Sequence, residues 1–275
     1  MIMNEQELML HQIDVFETQT GKKLEVKDGR PYYEGNLYTI SDYLPDNLVV
    51  DGNLNCSITS TRLPKGLKVT GYLDISMTNI TEIPDDCEFN DLYMKMTKIT
   101  KLRDDMMLFS LDARGSSLTE LPKGLKVKDM LDISYTNISE IPDDCEFCSL
   151  FMEDTKITEL RDNLELNSLN VRCSSLQELP NGLKVKWYLD ISETKITEIP
   201  EDCEFGALYM SGTKITKLRD NLTLGGLIIN KCPISELPKN LVVYGSLDIE
   251  KTLIKCLPDD CLATRIFCDF ELKDE

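Results

Sequence analysis

The residues with the most chemical promise are strings of two acids, a cysteine and a third acid. Asp85–Asp86–Cys87–Glu88 recurs at Asp143–Asp144–Cys145–Glu146 and Glu201–Asp202–Cys203–Glu204, and in part at Asp259–Asp260–Cys261. A thiol among carboxylates could ligate a metal or act as a nucleophile. Alignment removes both uses. The cysteines fall in a column filled elsewhere by Leu67, Met106, Leu125, Leu164, Leu183 and Leu222, so they read as small core residues. Copies three strands apart are separated by roughly 15 Å, too far for one zinc ion or a disulfide. The flanking acids then read as a solvated stripe. Cys56 and Cys268 fall on inward strand positions, Cys232 in a turn, and Cys148, Cys173 and Cys256 on partly exposed ones. The single histidine, His11, has no identifiable partner. There is no phosphate loop, no Ser/His/Asp set and no nucleotide fingerprint. We therefore expect no catalytic residues, no metal and no cofactor.

These strings belong to a chain that copies itself. Residues 121–178 return almost verbatim 58 residues later, from Leu179, and appear 58 residues earlier, from Leu63. A fixed period means a stack of similar coils. Its anchors are Leu44, Leu63, Ile83, Leu102, Leu121, Ile141, Leu160, Leu179, Ile199, Leu218, Leu237 and Leu257. They lie 19 or 20 residues apart, so three coils make one block. Nine of the eleven prolines directly follow an anchor; in the third coil of each block Arg103, Arg161 or Arg219 stands there instead. From Leu131 a coil reads LxIxxTxIxxIPxxCxF. Leu131 and Ile133 alternate as in a short strand with one buried face. The proline prevents a helix on the return side. Extended or 3₁₀ backbone is expected there, with the LKVK-type segments forming a second, weaker ladder.

Ahead of the coils, residues 4–19 predict a short helix. Asn4 and Glu7 make a capping box, Met9, Ile13 and Phe16 an apolar stripe, and Gly21 a stop. Asp28–Gly29 predicts a hairpin over 24–34. Residues 1–43 thus read as a cap that covers the first coil, 44–270 as about twelve coils, and 271–275 as an acidic tail. The first coil is irregular: Leu54 and Cys56 fit a strand, but Ile58 and Leu63 are one residue closer than later.

The pattern LxLxx(N/T)xLxxLPxxL over 44–270 resembles the leucine-rich repeat. It is most similar to the short, LP-containing units of bacterial effectors. The resemblance implies a leucine-rich-repeat solenoid, a horseshoe or flattened superhelix with a helix-and-hairpin cap. It departs from the family at the turn. Where Asn is usual, this chain has Thr78, Thr97, Ser116, Thr136, Thr155, Ser174, Thr194, Thr213, Cys232 and Thr252. A hydroxyl bonds the local backbone with fewer donors and acceptors than an amide. Effectors of this class carry a ubiquitin-ligase domain after the repeats in some cases; the 18 residues beyond Leu257 leave no room for one.

The best candidate site is the outward residue between the two core residues of each strand. These residues are Asp74, Tyr93, Asp112, Asp132, Phe151, Asn170, Asp190, Tyr209, Ile228, Asp248 and Phe267. The neighbouring column adds Lys95, Arg114, Glu153, Arg172 and Glu250, and Tyr72, Met130 and Tyr188 lie just before the first core residue. Aromatics spaced along a concave sheet are what a protein-binding surface uses as anchors. Asp112 and Asp132, side by side, need Arg114 or a basic partner to offset their repulsion. Duplication alone also copies surface residues, so the rhythm by itself does not demand binding.

The net charge of −18 opposes direct nucleic-acid binding. It suits a protein partner with a basic surface. The alternative is an acidic decoy that occupies another protein's nucleic-acid site. No export signal and no apolar run of membrane-spanning length are visible, and with ten cysteines this predicts a reducing cytoplasm.

Overall fold

In the computed structural model, residues 3–39, 43–56 and 58–270 are described. The acidic tail at 271–275 lies outside them. Helix α1 (Glu5–Thr20) opens on the capping box. The Asn4 side chain accepts from the Glu7 amide at 2.9 Å, and the Glu7 carboxylate accepts from the Asn4 amide at 3.0 Å. Gly21 closes the helix at φ 69°. Ile13 and Phe16 are buried and Met9 half-buried, as the stripe predicts. Gln12 is buried too, because its amide exchanges two hydrogen bonds with Asp46 in the first coil's turn.

The strands β1 (Glu25–Lys27) and β2 (Arg30–Glu34) form the antiparallel hairpin, with Glu25 opposite Tyr32. Asp28 (φ 52°) and Gly29 (φ 71°) both take the left-handed conformation that a two-residue hairpin turn needs. The hairpin does more than cover an end. Its second strand pairs in parallel with Val49–Asp51, which pairs with Lys68–Val69. It is therefore the first rung of the weaker ladder.

The chain forms two compact units, Met1–Asn137 with Asp144–Phe147, and Ile138–Asp143 with Cys148–Glu275. In the first, a parallel ladder runs through Leu37, Leu54, Leu73, Leu92, Leu111 and Leu131, each beside the next. In the second it runs through Leu150, Leu169, Leu189, Leu208, Leu227, Leu247 and Ile266. Every leucine of both series is fully buried. Stacked identical side chains are the core of each unit. Ile266 and Cys268, on the last strand, are half-buried. In the first coil the one-residue shortening turns Ile58 outward (65% exposed), and Ser60 is buried instead.

The LKVK-type segments form the weaker ladder, with Leu108 beside Val127, and Val185 between Leu166 and Phe205. The return side is extended, without 3₁₀ turns among the described residues. Its charges pair across coils: Lys68 with Glu88 at 2.9 Å, Lys126 with Glu146 at 2.7 Å, and Lys184 with Glu165 at 3.2 Å. All are exposed and contribute little each.

The acids beside the core cysteines are more than a solvated stripe. Asp144 accepts from the Gly124 amide at 2.9 Å, Asp202 from Gly182 at 2.8 Å, and Asp260 from Asn240 at 2.8 Å. The arginines that replace proline donate to the backbone of the same acidic turns. Arg103 reaches the carbonyls of Asp85 and Cys87, Arg161 that of Asp143, and Arg219 that of Glu201. The acid after each arginine then accepts from the next coil: Asp104 from the Lys123 amide, Asp162 from Asn181, Asp220 from Lys239. Three turn types thus fit one another in a cycle. That complementarity gives the three-coil block a physical reason. Gly124 and Gly182 suit this turn, where the next block has the left-handed Asn240 (φ 54°). Both glycines take φ near 65°, and a Cβ there would meet Asp105 or Asn163 oxygen within 2.5 Å.

Candidate partner-binding face

Each outward residue is the last of its strand, just before a turn; in long strands such as Lys184–Asp190 and Val242–Asp248 it closes a short segment that follows a register shift. Where it is acidic, one oxygen is already engaged. Asp74 accepts from the Ser76 amide at 2.9 Å, Asp132 from Ser134 at 3.0 Å, Asp190 from Ser192 at 2.9 Å and Asp248 from Glu250 at 3.1 Å. Asn170 does the same for Arg172. An Asp or Asn side chain bonding its own backbone two residues on is an Asx-turn. The acids of this column end the strands, whatever else they do. The signal was present as D-x-S at three of these positions. The aromatics have no such local task.

In the first unit the acids are covered. Asp112 and Asp132 are 2% and 6% exposed. The Arg114 guanidinium forks onto Asp112 at 3.0 and 2.8 Å and reaches Asp132 at 3.1 Å. Lys95 adds a contact to Asp112 at 3.1 Å. Alternation puts both acids on the outward side, but bases from their own and the adjoining strand close over them. Neither offers an unpaired carboxylate to a partner. Burial pushes Asp112 up, but the hydrogen bonds and charges of Arg114 and Lys95 outweigh it and hold the carboxyl below its ordinary value. Asp132 ends above its ordinary value, because burial outweighs its bonds to Ser134 and the Arg114 charge. Tyr72 and Tyr93 lie beside this cluster with rings 5.3 Å apart. The Asp74 carboxylate accepts from the Asn55 side chain at 3.3 Å.

In the second unit the aromatics dominate. Tyr188 has Phe151 on one side, with ring centroids 6.5 Å apart, and Tyr209 on the other, stacked at 5.9 Å. All three are half-buried, whereas Phe267 is 47% exposed. The strand register sets Asp190 between Asn170 and Tyr209. Asp248 lies beside Ile228, and its second oxygen accepts from Asn230 at 2.9 Å. Arg172 is exposed and lies 3.9 Å from Glu153. The twelve candidate residues therefore divide by unit. Asp74, Tyr93, Asp112, Arg114 and Asp132 surround a charge cluster; Phe151, Arg172, Tyr188, Asp190, Tyr209, Asp248 and Phe267 belong to an aromatic and acidic face. The column reading passed over Trp187 and Tyr244, both exposed, one and two residues ahead of the outward strand segments.

The cysteines of the complete acidic strings are occupied in the core. Cys87, Cys145 and Cys203 are fully buried, and each donates to a proline carbonyl of the preceding coil (Pro64, Pro122, Pro180). Burial pushes Cys87 to about 11, so the nucleophilic thiolate is scarce at neutral pH. Cys145 and Cys148 have a C-x-x-C spacing that the column reading also passed over. Cys145 is buried and Cys148 exposed.

No family model matches the chain, and no curated protein matches it. Solved structures do. The functional domain of InlJ from Listeria monocytogenes, which includes a cysteine ladder, superposes with a TM-score of 0.51 at 17% identity, over 78% of this chain and 60% of that one. The fold is a leucine-rich-repeat solenoid. YopM from Yersinia enterocolitica is also similar, with a TM-score of 0.47 at 18% identity, over 85% of this chain and 61% of YopM. The chain thus spans about three-fifths of the length of either protein. Among the described residues, no helix is long and apolar enough to cross a membrane.

In this leucine-rich-repeat solenoid, hydroxyls close the turns. Thr78 donates to the Ile75 carbonyl at 2.7 Å, Thr97 to Met94 at 2.9 Å and Thr194 to Ile191 at 2.7 Å. The residue before each is left-handed, at Met77, Met96 and Glu193. The bond stays within one turn and does not bridge coils. Thr78→Val keeps the shape and deletes that donor. It also leaves the Ile80 amide without its 3.4 Å acceptor. A loss of about 1–2 kcal/mol is expected in a denaturant titration. An unchanged midpoint would mean that packing alone shapes the turn.

Proposed function

We propose that the chain is a non-enzymatic binding module that holds another protein on its outward strand face. The observation that carries this is the Phe151–Tyr188–Tyr209 cluster. Three aromatic rings lie in a row, Tyr188 between Phe151 and Tyr209, on the solvent side of a sheet whose own core is complete without them. Half-buried aromatics beside polar groups are the usual anchors of protein interfaces. The acids around them favour a partner with a basic surface. The non-enzymatic reading gains support from the acid–cysteine strings, whose parts are occupied in core packing and coil-to-coil bonding. We further assign the chain to the short-unit, effector-type repeats, on its 19- or 20-residue coils. We place it in the cytoplasm, on its ten cysteines and the absence of an export signal in the sequence.

The test is affinity capture from native lysate. The parent should retain a partner that the combined Phe151→Ser, Tyr188→Ser and Tyr209→Ser variant loses by at least about tenfold, the scale of a hot-spot cluster. Equal capture by both would refute use of this face. Equal capture with steep salt dependence would favour the acidic-decoy reading instead.

A further inference from the structure

The two units carry the same local arrangement with different charge. Tyr72, Asp74 and Tyr93 in the first unit correspond, two blocks on, to Tyr188, Asp190 and Tyr209 in the second. The ring pairs are alike, at 5.3 and 5.9 Å. In the first unit the next outward positions are basic. Lys95 and Arg114 lie there and neutralise Asp112 and Asp132. One block on, Glu153 and Arg172 stand at those positions, beside Asn170 and Asp190; two blocks on, Ser211 and Asn230 do, beside Ile228 and Asp248. Among the described residues Asp190 has no basic group within salt-bridge distance. Arg172 feels its charge, but its nearest acid is Glu153. Phe151 adds a third ring that the first unit's copy lacks.

We propose that Phe151, Tyr188, Tyr209 and Asp190 form a subsite for an arginine side chain projecting from the protein partner. This rests on the reading that the outward face binds a protein. The first unit shows the chemistry within one chain: a guanidinium lying across this column, forked onto its carboxylates. One block on, Asp190 stands in the place of Asp132 and keeps the carboxylate, but Arg172, in the place of Arg114, is drawn to Glu153, and rings stand beside the acid instead. A planar guanidinium suits both parts. It stacks on aromatic faces and gives a directed pair of N–H donors to a carboxylate. Lysine would satisfy the charge but not the stacking geometry. Asp190 has one oxygen held by the Ser192 amide, which fixes the carboxylate in place before any ligand arrives.

The experiment uses the full chain as bait for a library of random dodecamer peptides. Selected peptides should share an arginine, and its replacement by citrulline should weaken binding about tenfold or more, as loss of a charge-assisted pair does. Asp190→Asn should weaken the same peptides by a similar factor. Glu153→Lys, which restores the residue of the first block and releases Arg172 toward Asp190, should weaken them too. Peptides that lack arginine and bind both variants like the parent would overturn the subsite, as would a selection that returns no binder. If such peptides still fail to bind the triple serine variant, the face remains a protein-binding surface and only the arginine subsite falls. If they bind the triple variant as well, both readings fall.

Discussion

Replacing Leu131 by alanine is expected to lower the free energy of unfolding by about 2–5 kcal/mol, the range for removing a large apolar side chain from a core. Leu131 is fully buried and in register with Leu111 on the neighbouring strand. The strands that flank the vacated space are held by parallel ladder bonds near a fixed spacing, so the coils have little freedom to close it. In a solenoid each coil's stability is shared with its neighbours, and the loss acts on the packing between coils as well as within one. Tyr135, four residues on and 53% exposed, is the control. Tyr135→Ala should change stability by less than about 0.5 kcal/mol, as surface changes usually do. Guanidinium titrations followed by circular dichroism would measure both. A loss below about 1 kcal/mol for Leu131→Ala would contradict the inward placement of the leucine series.

Much of this was legible in the sequence because its causes are local or periodic. The helix start is a capping box four residues long, and the hairpin is an Asp–Gly pair. The leucine stack follows from a fixed anchor spacing, which assigns an inward face even to cysteines. What was not legible depends on which side chains become neighbours one coil away. Asp144 meets the Gly124 amide across 20 residues, and only the coil register specifies that contact. Asp112 and Asp132 alternate outward like Asp190, yet they are buried because Lys95 and Arg114 fold over them. The Asx-turns were local and could have been read from D-x-S; the outward alternation drew attention to the same acids as surface charge. The contact between Phe151 and Tyr188 spans two strands and depends on rotamers, which periodicity does not encode.

Arg114→Ala tests the charge cluster, and its signature is pH dependence. Removing one partner from a fully buried pair costs about 3–5 kcal/mol. The Arg114 side chain is 44% exposed and water screens it, so a loss of about 2 kcal/mol is expected near neutral pH. The sign follows from the two acids. In the parent, the Asp112 carboxyl lies below its ordinary value. It contributes stability above its unfolded pKa and loses it as pH falls through the folded one. In the variant that stabilisation is already reduced to the Lys95 contact. Asp132 starts above its ordinary value through burial and, without the guanidinium, rises further. A carboxyl raised in the folded state binds protons more readily there than in the unfolded chain, so the variant gains stability as pH falls. The difference should narrow as pH falls toward about 4, where the raised Asp132 takes up its proton, and close only below that, as Asp112 does. Arg114→Lys should lie between them, since it keeps the charge but not the fork across two acids. A stability difference that stays constant from neutral pH to about 4 would show that Arg114 acts through packing of its stem rather than through its charge.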